Sequence, residues 1–221
     1  MTKTVNSNGF YRFLEWLMWI MYLNLLWVVM SLAGVVFLGL FPATMALVIT
    51  IREWCVQKNE VAFNKIFFKA YKKTFIKSNM IGYLLTIVGY ILFVDFQWVM
   101  QHTTTFQSLF LVLFIVMGII YTIAILYIFP TFAHFDLSIR QTLKHAIVLG
   151  LFSPLVTIGM FVALFLLQYV WRFIPGLLPV VGVSFTFYIV TRLALFSFES
   201  FENRQQSLLE KDYVKGEKKH A

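Results

Sequence analysis

Long apolar runs separated by short polar breaks fill the chain, and the first run is the most awkward. From Trp16 to Ile51 no charged residue appears. A single helix of that length would reach about 54 Å, far beyond the roughly 30 Å of a bilayer's hydrocarbon core, yet two full spans and a turn barely fit. The run divides at "GLFPATMAL", where Gly39 and Pro42 read as a turn followed by a helix start. Proline suits a helix's first turn because its missing N–H has no acceptor there in any case. This division gives apolar segments at about 13–36 and 41–56, and the pattern recurs at about 80–100, 107–129, 146–170 and 174–198. Each segment except the second is long enough for a membrane-spanning helix. The short second one is expected to cross, with Gly34 to Pro42 as the outer turn. The alternative is a re-entrant half-helix whose backbone is covered by protein.

The polar stretch before the third segment is itself patterned. In "KNEVAFNKIFFKAYKKTFIKSN", Phe63, Phe67, Ala70 and Thr74 fall on one helical face, with Ile66 and Tyr71 beside them. Lys65, Lys69, Lys72 and Lys73 lie largely opposite. The spacing predicts an amphipathic helix over about 58–78 at the membrane surface, its lysines, Lys77 included, directed to anionic headgroups or to a protein partner. A plain connector would carry the same charges. Residues 199–221 form a charged tail expected to fray beyond its first turns. A Phe-Pro-x-x-Ala echo links "LFPATMA" with "IFPTFAH", the kind of trace an inverted repeat leaves, but chance is the better account in so Phe-rich a chain.

Composition turns these segments into a fold class. The chain is 60% hydrophobic and 13% charged, where a soluble domain carries about 25% charged residues. An all-α, polytopic transmembrane helix bundle of five to six spans follows. The alternating ten-residue strands of an outer-membrane barrel are missing. The net charge of +8 is not a nucleic-acid footprint, because every one of the 18 Lys and Arg residues except Arg172 falls on one side of this topology. The positive-inside rule makes that side cytoplasmic and puts both termini there, against anionic inner-leaflet lipid. Cys55 is the single cysteine and permits no internal disulfide. The N-terminal apolar segment is too long, and lacks the cleavage site, for a removable signal peptide.

Candidate chemistry is sparse. Asp95, in "ILFVDFQWVM", lies near the outer end of the third segment, where it could bind a cation, a proton or a sugar hydroxyl, or pair with Arg172. Asn24 sits within the first span and suits a hydrogen bond between helices. Thr44 could satisfy backbone N–H groups at the helix start or face a polar cavity. Gln168 and Arg172 flank an aromatic belt position, and Asp136 and Arg140 have the spacing of an intrahelical pair. His102, His134, His145 and His220 lack zinc-site spacing, and there is no HExxH, phosphate loop or GxSxG elbow. No catalytic residue, metal or cofactor is implied. The leading reading is an accessory membrane protein that binds a partner such as a transporter subunit. A small transporter or channel, expected as a homo-oligomer, comes next, and a membrane enzyme on a lipid-linked substrate last.

Three stretches, "YLNLLWVVMSLAGVVFLGLFPATMAL", "FFKAYKKTFIKSNMIG" and "YIFPTFAHFDLSIRQTLKHAI", resemble the YesL-like family of bacterial integral membrane proteins, a domain of unknown function. The family's usual proline after the first helix is replaced here by Ala33-Gly34, while Gly39 and Pro42-Ala43 are kept. The resemblance implies a multi-span protein of the bacterial cytoplasmic membrane, of a kind often encoded beside carbohydrate uptake and breakdown systems. It carries no catalytic set onto these positions.

Overall fold

The short apolar helix that raised the length problem is the centre of the structure. The computed structural model describes residues 9–57, 61–101, 107–135 and 137–220, and no strand occurs among them. The helices are α1 (Gly9–Ala33), α2 (Leu40–Val56), α3 (Phe63–Gln101), α4 (Gln107–His134), α5 (Ile139–Phe152), α6 (Pro154–Phe173) and α7 (Val183–His220). A 3-10 turn, Pro175–Leu177, and a π-helical turn, Leu178–Gly182, join the last two. Five stretches are long and apolar enough to cross a membrane: α1, α3, α4, α6 and Pro175–Arg204. At 17 residues α2 is shorter.

Every residue of α2 from Pro42 to Val48 is buried, as are Thr50 and Ile51. A helix apolar on all sides needs neighbours on all sides, and α1, α3, α4 and α7 supply them. Met45 and Val48 join Ile81, Tyr127, Ala194 and Phe198 on one flank. Ala46, Leu47 and Ile51 join Leu23, Phe67 and Tyr71 on the other.

The α1–α2 turn is built from backbone bonds. Val35 N–H donates to Leu32 O and Val36 N–H to Ser31 O, both at 2.9 Å. This is the Schellman closure of a helix end, which calls for a left-handed residue just past the helix. Val35 fills that place with φ 57°. The two glycines serve close approach instead: a Cβ on Gly34 would lie 2.3 Å from Gly39 Cα, and one on Gly39 would lie 2.4 Å from Ser31 O. The turn rests on α3, where Asn79 Nδ2 donates to Leu38 O at 3.0 Å and Tyr83 OH to Phe37 O at 2.8 Å. Phe41 sits in the notch left by Gly82. From Tyr83, α3 runs on to Gln101, about 27 Å past the turn.

Several segment boundaries differ from the sequence reading. The amphipathic stretch and the third apolar segment are one helix, because nothing between Ser78 and Ile81 breaks it. Its apolar face, Phe63, Phe67, Ala70 and Thr74, is buried as expected, but against protein rather than lipid. The segment at 146–170 is split at Ser153, since Pro154 has no N–H for Gly150 O. The Thr157 hydroxyl takes that carbonyl instead, donating to Gly150 O at 2.8 Å, and meets Tyr127 OH at 3.0 Å. Finally, α7 continues through the charged tail to His220, a stretch rich in Glu, Lys, Gln and Leu and free of proline.

Candidate functional site

The second half of α2, the first half of α3 and the last residues of α4 line a half-open cleft of about 450 Å³. Ile49, Ile66, Ala70 and Phe132 give it an apolar side. Its polar side carries Lys69, Lys73 and Lys77 from α3, Arg52, Glu53 and Gln57 from α2, and His134 from α4. Lysines four apart share one helical face, so a single stripe of α3 delivers all three while the neighbouring stripe is held against α2. Arg52 Nη1 donates to Glu53 Oε1 at 2.5 Å, and Gln57 Nε2 donates to Glu53 Oε2 at 2.7 Å. Arg52 Nε and His134 Nδ1 are both buried without a hydrogen-bond partner among the described residues. The other ring nitrogen of His134, Nε2, lies 3.3 Å from Glu202 Oε1. Among the described residues the cleft is lined by Lys69, Lys73, Lys77 and Arg52 against one carboxylate; that carboxylate is engaged, and Lys73 has a partner of its own.

The sequence candidates divide sharply. Lys69, Lys73 and Lys77 come together in the cavity. Lys65 and Lys72 are exposed outside it, Lys65 beside a separate hollow with Tyr22 and Asn64. Asp95 is exposed on the far half of α3 and Arg172 on the last turn of α6, with no ion pair between them. Asn24 and Thr44 are buried with their polar atoms in use. Asn24 bridges Pro179 O and Ser184 N–H, and Thr44 accepts from Trp27 Nε1 at 3.0 Å and donates to Leu40 O at 2.8 Å. These two hold helices together and leave no polar group for a ligand. The pair suggested for Asp136 and Arg140 involves a residue outside those described, as does His102.

Arg52, Glu53, Gln57 and His134 were not singled out as site residues. In sequence Arg52 counts only among the basic residues that set the orientation, and His134 only as a histidine without zinc-site spacing. A family model, "Protein of unknown function, DUF624", matches residues 20–96. That match takes in most of α1, all of α2 and most of α3, hence the glycine-closed turn and two walls of the cavity. "Uncharacterized protein YesL" of Bacillus subtilis (strain 168) is 33% identical over 201 residues, which cover 90% of this chain and 94% of that protein. The chain belongs to the YesL-like DUF624 family. Two further members from the same organism are similar: YesV, 29% identical over 200 residues (90% and 96% of the two chains), and YteU, 30% identical over 182 residues (82% of each). No solved structure matches the chain.

Proposed function

We propose that this YesL-like protein is an accessory component of the bacterial cytoplasmic membrane that binds a membrane partner and carries no solute itself. The observation that supports this most is the filled axis. Where a conduit would run, α2 puts Ala43, Met45, Ala46, Leu47, Val48 and Ile51, each 0% exposed. A path through one chain needs polar, hydrated walls, and the two threonines on this axis, Thr44 and Thr50, spend their hydroxyls on α2's own carbonyls at Leu40 and Ala46. The carbohydrate setting is what membership of the family implies, so the fitting partner is a subunit of a carbohydrate uptake system.

Co-purification from native membrane tests the reading. A transporter subunit retained in stoichiometric amount, with no flux of sugars or ions into liposomes that hold the purified protein alone, is the expected result. Solute movement by the isolated protein that is altered in Asp95→Asn would replace the accessory reading with a transporter.

A further inference from the structure

We infer that the turn between α6 and α7, with Arg172, faces the cytoplasm, and that the α3–α4 pair alone carries the chain to the outer surface. A six-span reading of the apolar segments puts this turn outside and leaves Arg172 opposite every other Lys and Arg. Contacts along α1 give a different level. Trp19 stacks on Phe63 with ring centroids 4.2 Å apart, and Tyr22 OH donates to Asn64 Oδ1. Further on, Tyr71 OH donates to Met30 O at 3.3 Å and Asn79 Nδ2 to Leu38 O at 3.0 Å. The residue numbers rise together, so α1 and the first half of α3 run side by side in one direction. The α6–α7 turn is tied to the first part of α1. Asn24 holds Pro179 O and Ser184 N–H, while Trp171, beside Arg172, meets Phe185 at 6.3 Å and Phe185 meets Trp16 at 5.9 Å. The turn is therefore level with the start of α3, near Asn64.

From Asn64 to Gln101 the unbroken α3 rises about 55 Å, and a tilt of 40° still leaves about 42 Å. Hydrocarbon is about 30 Å thick, so the α6–α7 turn and the far end of α3 cannot share one surface. The course of α6 agrees. Tyr121 OH donates to Leu85 O at 2.8 Å, which sets Tyr127 near the middle of α3, and Tyr127 OH lies 3.0 Å from Thr157 Oγ1 in the first turn of α6. From that level α6 runs back toward the level of Asn64, away from Gln101. Charge supports the same placement independently: with the turn inside, the positive-inside rule has no exception in this chain. The α1–α2 turn also stops about 27 Å short of Gln101. An extracytoplasmic partner would then meet only the tip of the α3–α4 pair, and the surface open to a soluble partner is cytoplasmic. The inference rests on the membrane reading of the chain and not on the accessory one, so either can fail without the other.

Thiol labelling of the full chain in native membrane, in a Cys55→Ser background and with an impermeant reagent, tests it. Arg172→Cys and Gly176→Cys report on the turn, the second at a position where a Cβ meets nothing within 4 Å, and Gln101→Cys marks the outer end. Gln101→Cys should be labelled on intact cells. Arg172→Cys and Gly176→Cys should be unlabelled there and labelled in inside-out vesicles. Labelling of either turn position on intact cells would overturn the inference, as would reaction of Gln101→Cys from the same side as the turn. Protection of both turn positions from both sides, with full reaction after solubilisation, would place the turn within the hydrocarbon and overturn it as well.

Discussion

Asn24 offers the sharpest quantitative test of the packing. It is 1% exposed, its Nδ2 donates to Pro179 O at 2.7 Å, and its Oδ1 accepts from Ser184 N–H at 3.0 Å. Those two backbone groups stand five residues apart, the spacing of a π-helical bond, and the Asn24 amide is inserted between them. Asn24→Leu keeps the side chain's bulk but leaves a carbonyl and an N–H buried and unbonded. An orphaned buried group costs about 1–3 kcal/mol in soluble proteins. Side-chain hydrogen bonds within membrane bundles average about 0.6 kcal/mol and reach about 1.7. Two bonds are lost together, and the freed groups can partly re-pair by tightening the turn, so the expected loss is about 1–3 kcal/mol. Asn24→Asp keeps the acceptor for Ser184 but sets a carboxylate oxygen against Pro179 O, and should be at least as damaging. Reversible unfolding of the purified protein in mixed detergent micelles measures both. A loss below about 0.5 kcal/mol for Asn24→Leu, the scatter of ordinary surface changes, would refute the reasoning.

The α1–α2 turn yields three more expectations. Gly39→Ala places a Cβ against Ser31 O and should destabilise by at least about 2 kcal/mol, whereas Gly118→Ala, which meets nothing within 4 Å, should be neutral or slightly stabilising in the same unfolding assay. Val35→Gly relieves a β-branched residue at φ 57° and should raise stability by about 1 kcal/mol. In a Cys55→Ser background, Phe37→Cys should resist membrane-impermeant thiol reagents on both sides of sealed vesicles and react after solubilisation. Lys69→Cys should react from the cytoplasmic side only.

How much of this was legible in sequence depended on the range of the interaction. Runs free of charge announced helices, and Pro42 announced a helix start, because both are local effects. The buried face of 63–78 was legible too, since periodicity says which side of a helix is covered. It does not say by what, and the cover proved to be α1 and α2. Length made α2 look like a marginal span, yet the more telling signal was that Pro42 to Ile51 has no polar face, which marks a helix enclosed by others. Ser153-Pro154 is a local break signal, but the apolar run that continues across it hides the break in the hydropathy pattern. The cavity was half legible. Lys69, Lys73 and Lys77 show their common stripe in their spacing, but Arg52 and His134 reach it from other helices, through contacts that spacing does not encode.

The height of the α1–α2 turn bears on the two readings of the short helix, and the Phe37→Cys labelling tests the buried placement. The turn is fixed against Asn79 and Tyr83, near the middle of α3. If it reached the outer water, the hydrocarbon would extend about 20 residues back along α3 from Tyr83 and would swallow Lys65, Lys69, Lys72, Lys73 and Lys77. At about 2.5–3.5 kcal/mol for each lysine near the bilayer centre, less for those able to snorkel, that placement is prohibitive. It would also leave the apolar 84–101 stretch standing in water. Placing Lys73 and Asp95 at the two interfaces instead gives about 33 Å, close to the hydrocarbon thickness, and puts the turn inside it. The turn is equipped for that depth. Val35, Phe37 and Leu38 present apolar side chains outward, and the carbonyls of Phe37 and Leu38 are met by Tyr83 and Asn79, leaving neither acceptor bare in lipid. At that placement Asn79 in the middle of α3 has a physical reason, and Lys69 and Lys73 would fall where the phosphate layer of one leaflet meets the bundle.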